Sequence, residues 1–163
     1  MAIWVCRTGL KGQYANEFLK DNKIYLTRDN LDFDLEKAEK SFVINSLYEN
    51  SPSAARQTMS NTWSQIDIFA NRMSIGDIVI IPKKSSALVS VGAINGNYVF
   101  SEGATFPYMH SREIKVLSRE IDTSDFPQSI KYSLGAFRTI FSVRQEDEIR
   151  QLLIEKGVCF DEV

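Results

Sequence analysis

The chain has 163 residues, of which 44% are hydrophobic and 25% are charged, and this is material for one globular domain with one core. Its formal net charge is −2, so a strongly basic molecule is excluded and contact with a nucleic acid would need a local basic patch. The two cysteines lack the spacing of a metal site or a disulfide framework, and no apolar segment approaches the ~20 residues that cross a bilayer. We therefore expect a single domain over 1–163, in the reducing cytoplasm and without membrane contact.

Hydrophobic periodicity and turn residues predict short strands interleaved with helices. In chain order, strands are predicted at 2–6, 23–27, 78–81, 88–94, 98–100, 113–117 and 139–143, and helices at 13–20, 51–73, 126–134 and about 145–156. Ser51 and Pro52 are typical of a helix start. Ser142 with Gln145 forms a capping-box pattern, and Gly157 is placed to end the last helix. This succession predicts an α+β domain, built on a small curved sheet around Gly92.

The residues that could carry out catalysis are few. His110 is the one histidine, placed in a loop entering a strand, and a packing or surface role is favoured over a catalytic one. Asp77, Glu113 and Lys115 echo the carboxylates and lysine of magnesium-dependent nucleases. Strand alternation explains Glu113 and Lys115 more simply, and an aspartate after glycine commonly caps a turn. Glycine loops that cradle phosphates are absent.

Aromatic and basic residues point instead to binding. The chain has two tryptophans, six tyrosines and ten phenylalanines, and aromatic faces can stack on nucleobases. Tyr25 lies close to Thr27, Arg28 and Asn30, whose polar groups could read the edge of a base. Trp63 lies on the core-facing stripe of its predicted helix and is a less favoured candidate for the wall of a base-stacking pocket. The basic residues near the predicted sheet ends are Arg7, Lys11, Arg28, Lys83, Lys84 and Arg112.

The order of these motifs resembles the EVE-like domains of the PUA superfamily, in particular the N-terminal modules of Mrr-type restriction proteins. The resemblance covers roughly 1–143 and rests on an opening strand that ends in Arg7-Thr8-Gly9, the Tyr25-Leu26-Thr27 segment, the helix with Trp63, and the strands with Gly76-Asp77, Gly92 and His110-Ser111-Arg112. It implies a small, strongly curved mixed β-barrel flanked by helices, related to YTH and ASCH domains.

The resemblance also implies a function. In such folds a modified base, flipped out of its strand, enters a pocket while basic residues hold the phosphates. The expected pocket residues are Arg7, Thr8, Tyr25, Thr27, Asn30, Trp63 and Tyr98, and the expected phosphate contacts are Lys11, Arg28, Lys83, Lys84 and Arg112.

We therefore expect a non-catalytic module, without cofactor or metal, that binds DNA carrying a modified base and targets a restriction or defence effector, on a partner or a fused domain. Four alternatives stay open at this point: RNA as the nucleic acid, a metal-dependent nuclease, an ASCH-like ribonuclease, and a domain that senses small nucleotides or binds protein.

Overall fold

The computed structural model describes residues 1–9, 12–83, 87–136 and 138–161. Within these residues the chain forms a mixed α+β structure, in which a strongly curled sheet is flanked by helices. The expected small curved sheet with flanking helices is therefore confirmed. None of the described helices has the length and apolar character that a membrane crossing needs.

Seven strands make up the sheet in the described part of the chain. They are β1 (Ile3–Cys6), β2 (Lys23–Tyr25), β3 (Ile78–Pro82), β4 (Leu88–Ile94), β5 (Val99–Phe100), β6 (His110–Asp122) and β7 (Ile140–Ser142). Their order across the sheet is β2-β6-β4-β3-β1-β7, with β5 also paired to β6. Only β1 and β3 run parallel among the described pairs, with Ile3 opposite Ile78, so both strands present their carboxyl ends at the same edge.

The helices are α1 (Ala15–Asp21), α2 (Lys40–Asn50), α3 (Arg56–Asp67), α4 (Gln128–Leu134) and α5 (Glu146–Glu155), and a π-helical turn over Ile68–Arg72 continues α3. The predicted helix start at Ser51 is wrong, because Ser51 instead ends α2 by donating its N–H to the Leu47 carbonyl at 3.1 Å. The predicted capping box at α5 is also wrong, since Gln145 Oε1 accepts a hydrogen bond from Ser133 Oγ at 2.6 Å. Gly157 does follow the end of α5, at φ +94°.

Alternation along β1 assigns its side chains to two cores, one on each face of the sheet. Trp4 and Cys6 belong to the core beneath α1, α2 and α3. Ile3 and Val5 belong to the core beneath α4 and α5. Helices therefore pack against both faces of the sheet.

The longest strand, β6, carries the curvature. Its register against β4 shifts twice, between Val89 and Val91 and between Val91 and Gly92. A Cβ at Gly92 would lie 3.1 Å from Ile114 Cδ1 and 3.2 Å from the Lys115 carbonyl oxygen, closer than ordinary packing, so glycine favours the close approach of the two strands there. The predicted strand at 113–117 is too short, because His110, Ser111 and Arg112 are paired residues of β6.

Candidate functional site

Two loops enclose a small cavity beside β2 and the start of β6. We call it the loop cavity; its volume is about 160 Å³. Its walls come from the segment after β2 and the segment before β6, and the lining residues are Leu26, Arg28, Asp29, Asn30, Leu31, Asp32, Ala104, Phe106, Pro107, Met109 and His110. Polar groups and apolar side chains therefore face the same space.

A chain of buried hydrogen bonds holds the first loop against the sheet. The Leu35 N–H donates to Tyr98 Oη at 3.1 Å, Tyr98 Oη lies 2.6 Å from His110 Nδ1, and His110 Nε2 lies 2.7 Å from the Leu31 carbonyl oxygen. A carbonyl only accepts, so Nε2 carries the proton and the Tyr98 hydroxyl donates to Nδ1. Leu31 and Leu35 are thereby fixed to β6.

The environment of His110 keeps it neutral. The imidazole is 2% exposed, and burial lowers its pKa below the ordinary value, although the Leu31 carbonyl, Asp34 and Asp32 act in the opposite direction. The rings of Tyr98 and Phe100 stack on it, with centroids 5.8 and 5.5 Å away. The packing role expected for His110 thus agrees with the structure, and its polar atoms serve to position the loop.

Aromatic side chains packed edge to face support the second loop. Tyr25 packs edge-on against Phe18 and Tyr108, at centroid distances of 5.3 and 5.1 Å, and its hydroxyl donates to Asp21 Oδ2 at 2.6 Å. Tyr14 packs edge-on against Phe106 at 6.2 Å. Tyr25 is buried and does not line the loop cavity. It therefore packs against Tyr108 and supports the second loop, and it does not offer a face on which a base could stack in that cavity.

Of the residues predicted for the base pocket and the phosphates, the structure brings Arg28 and Asn30 together at the loop cavity. Thr27 precedes them without lining the space. Burial of part of the Arg28 guanidinium lowers its pKa, while the residue as a whole keeps substantial exposure. Asn30 adopts a left-handed backbone at φ +64°, which asparagine tolerates better than most residues.

Two predicted aromatic walls lie elsewhere. Trp63 is half-buried on α3, packs against the core beneath α1–α3, and has Lys40 Nζ 5.7 Å from its ring centroid. The Tyr98 hydroxyl is committed to Leu35 and His110. Neither ring lines the loop cavity, so the structure does not bring Trp63 and Tyr98 together with Arg28 and Asn30.

Arg7 and Thr8 diverge at the end of β1. Arg7 lines a second and larger cavity of about 480 Å³ at the carboxyl ends of β1 and β3, together with Lys83. We call this space the strand-end cavity. Thr8 is fully buried, and its Oγ1 has no hydrogen-bond partner among the described residues. The loop cavity and the strand-end cavity share no lining residue, so the predicted pocket residues are divided between two places.

Arg112 does not lie on an exposed basic face, and that prediction is wrong. The residue is 4% exposed. Its Nε donates to the Phe69 carbonyl at 2.7 Å, Nη2 to Ala70 at 3.2 Å and Nη1 to Gly96 at 3.3 Å. Three carbonyls accept from three of its five N–H groups, so the guanidinium holds backbone inside the fold. Lys11 and Lys84, the other predicted phosphate contacts, fall outside the described residues.

The nuclease arrangement finds no support in the described part of the chain. Asp77 is 7% exposed, and its carboxylate accepts hydrogen bonds from the Ala2 N–H at 3.0 Å, Trp4 Nε1 at 2.9 Å and the Ser74 N–H at 2.9 Å. The turn-capping role expected for Asp77 agrees with these contacts. No group of three or more metal-ligating side chains occurs among the described residues.

Sequence reasoning missed the residues that complete the loop cavity. Phe106, Pro107 and Met109 supply its apolar wall, and Asp29 and Asp32 supply carboxylates. An aromatic-proline pair before a strand is a turn signal, but nothing in it points to the loop after β2. Lys131, on α4, similarly lines the strand-end cavity.

A family model matches residues 4–141, and its description is a domain of unknown function (DUF8426). The match covers most of the chain, so the chain belongs to this family. No curated protein matches the chain.

Proposed function

We propose that this chain is a non-catalytic recognition module that binds DNA and receives one flipped, modified pyrimidine base in the loop cavity. Its task is to direct an effector, such as a nuclease on a partner or fused domain, to modified DNA in the cytoplasm. The ordered motifs that resemble EVE-like domains motivate the proposal. The observation that carries it is the loop cavity, where the predicted Arg28 and Asn30 meet.

The size of the loop cavity favours a single six-membered ring. Its volume is about 160 Å³, and a protein cavity of roughly 150 Å³ accommodates one benzene molecule. A pyrimidine base is of this size, whereas a purine has a second fused ring. We therefore favour a modified cytosine over N6-methyladenine.

The lining groups favour a base that carries an exocyclic amino group. Asp29 and Asp32 can accept from the N4 amino group of cytosine, and the Asn30 amide can donate to its ring acceptor or carbonyl. Phosphates would be repelled by the two carboxylates, so Arg28 is the cation in this cavity that can hold the strand beside the flipped base. Such a division between base contact and phosphate contact is usual in DNA recognition.

A methyl or hydroxymethyl group would meet the apolar side of the loop cavity. Leu31, Pro107 and Met109 form that side, and burial of one methyl group contributes about 0.8 kcal/mol. This alone gives weak selectivity. The polar contacts must supply the rest, because an unpaired polar group in a closed pocket costs about 1–3 kcal/mol.

The decisive test is fluorescence anisotropy with duplexes that contain a single cytosine, 5-methylcytosine, 5-hydroxymethylcytosine or N6-methyladenine. We expect the tightest binding to one of the modified cytosines. Asn30→Gly removes the amide but keeps the left-handed backbone, and the loss of one base contact should weaken that preference about tenfold. Asn22→Gly is the matched control, because Asn22 also has positive φ (50°) and lies outside the loop cavity. Background binding to every duplex, or an unchanged preference in Asn30→Gly, contradicts the proposal.

A further inference from the structure

The strand-end cavity, which the proposed function does not use, has the features of a separate ligand site. Its volume is about 480 Å³, within the usual range for small-molecule pockets. Pro82, Val89 and Leu134 give it an apolar wall, and Arg7, Lys83 and Lys131 bring three cationic side chains to it. None of the described residues that line it is acidic.

The topology explains why these cations meet. Arg7 directly follows β1 and Lys83 directly follows β3, and the two strands are parallel neighbours. Crevices outside the carboxyl ends of parallel strands are favoured ligand positions. Lys131 comes from α4, which packs over the sheet face that carries Ile3 and Val5, through Ile130 and Leu134. The two strand ends and the helix thus contribute to one space.

Arg7 is incompletely satisfied by the protein. Its Nε is buried and has no hydrogen-bond partner among the described residues. A buried donor without a partner carries an appreciable desolvation cost, and guanidinium groups bind oxyanions through two parallel hydrogen bonds. Arg7 also lines the strand-end cavity, so an oxyanion there would bind the other N–H groups of the guanidinium, because the buried Nε is closed to it.

Nearby carboxylates compete only weakly for these cations. Glu120 Oε2 lies 3.5 Å from Lys83 Nζ, but its side chain is 61% exposed, and exposed ion pairs contribute little. Asp122 is attracted by Lys131, but its carboxylate already accepts a hydrogen bond from Ser124. That hydrogen bond, with the charges of Lys156 and Lys131, lowers the pKa of Asp122. Asp125 is paired with Lys156 at 2.9 Å.

We propose that the strand-end cavity binds a small phosphate monoester that has a compact apolar body. A phosphate monoester carries about −1.5 to −2 charges at pH 7 and three acceptor oxygens. Its charge compensates more of the positive charge of Arg7, Lys83 and Lys131 than the single charge of a carboxylate would. The apolar body packs against Pro82, Val89 and Leu134. This site is independent of the loop cavity and of the proposed base recognition.

The test measures binding of phenyl phosphate to the intact chain by calorimetry, with inorganic phosphate, benzoate and phenol as comparison compounds. Phenyl phosphate should bind at least about tenfold more tightly than each of the three, because only it offers both a dianion and an apolar ring. Its addition should shift the amide NMR signals of Val89, Thr123 and Leu134, which surround the cavity. Equal affinity for benzoate would overturn the assignment to a phosphate, and the absence of shifts at these residues would overturn the site.

Variants separate this site from the first one. Arg7→Gln and Lys131→Gln should each weaken phenyl phosphate binding about tenfold or more, and Arg7→Lys should retain part of it. Lys20→Gln, at an exposed lysine on α1, is the matched control and should bind as the unmodified chain does. Asn30→Gly should also leave phenyl phosphate binding unchanged. Unchanged affinity in both Arg7→Gln and Lys131→Gln contradicts the proposal, whatever happens in the duplex assay.

Discussion

Substitution of Tyr98 by phenylalanine removes one oxygen from the buried hydrogen-bond chain and leaves the ring in place. In the structure that oxygen accepts from the Leu35 N–H at 3.1 Å and donates to His110 Nδ1 over 2.6 Å. Without it, a backbone donor and an imidazole acceptor remain buried without partners. The ring contacts with Phe69 and His110 persist, so packing is almost unchanged.

The expected loss of stability follows from these two orphaned groups. A buried polar group that loses its partner costs about 1–3 kcal/mol, so two groups together cost about 2–6 kcal/mol. The unfolding free energy of a domain is typically about 5–15 kcal/mol, and Tyr98→Phe should therefore remove a substantial share of it. Because the loss frees the loop at Leu35 and removes the hydrogen bond that orients His110 toward Leu31, the loop cavity should lose its shape before the whole domain unfolds.

Urea denaturation, followed by tryptophan fluorescence, measures this loss. Tyr98→Phe should shift the midpoint to lower urea with little change in slope, since the surface exposed on unfolding is nearly the same. Tyr132→Phe makes the same chemical change at a residue that is 73% exposed, and its effect should lie within about 0.5 kcal/mol of zero. A Tyr98→Phe midpoint indistinguishable from that of Tyr132→Phe would refute the reasoning.

Three further predictions concern buried polar and thiol groups. Burial gives folded His110 a pKa below its ordinary value. As the pH falls below about 6.5, the unfolded state therefore takes up the proton first, and the free energy of unfolding falls by up to about 1.4 kcal/mol per pH unit until folded His110 protonates too. NMR titration of this single histidine should give a pKa below 6.5, and a value above 6.5 contradicts the assignment. Burial raises the pKa of the Cys6 thiol to about 12, so a thiol reagent should label exposed Cys159 rapidly in the native chain and Cys6 only after denaturant; two fast labelling events would refute this. Asp77→Asn should destabilise by about 1–3 kcal/mol in thermal or urea unfolding, because an amide replaces a carboxylate that accepts three hydrogen bonds, and an unchanged midpoint would show that those contacts contribute little.

The parts of the fold that the sequence predicted are those in which local pattern and tertiary position agree. The run over β4, rich in β-branched residues and bounded by turns, gave the strand bounds Leu88–Ile94 that the structure has. Gly157 likewise predicted the end of α5. In these segments the residues that the core needs are also the residues that local propensity favours.

The errors occurred where distant partners override local pattern. The sequence predicts a loop at His110 and an exposed basic face at Arg112, because polar side chains are rarely buried. Inside the fold, however, the Leu31 carbonyl accepts a hydrogen bond from His110, and the Phe69 and Ala70 carbonyls accept from Arg112. Helix α2 has only Val43 and Leu47 as buried side chains, so its apolar stripe is too narrow to read from periodicity.

The candidate site was predicted in part for a related reason. Arg28 and Asn30 lie close in the sequence and were found together, whereas Phe106 and Met109 reach the loop cavity from a segment far along the chain. A single sequence does not show that these two distant segments meet in the fold. Arg7 and Thr8 were grouped as sequence neighbours, yet Arg7 lines the strand-end cavity and Thr8 is fully buried.

The π-helical turn after α3 constrains how the gene for this domain can change in length. Met73 donates its N–H to Ile68, five residues back, at 2.9 Å, and the Phe69 carbonyl that an α-helical turn would have used accepts from Arg112 instead. Removal of one residue from 68–72 would restore the α-helical pitch, occupy that acceptor and rotate the downstream chain by about 100°. Gly76 and Asp77 would then miss the start of β3. We expect the spacing between Trp63 and Gly76 to be invariant across the family, with insertions and deletions confined to loops outside this junction.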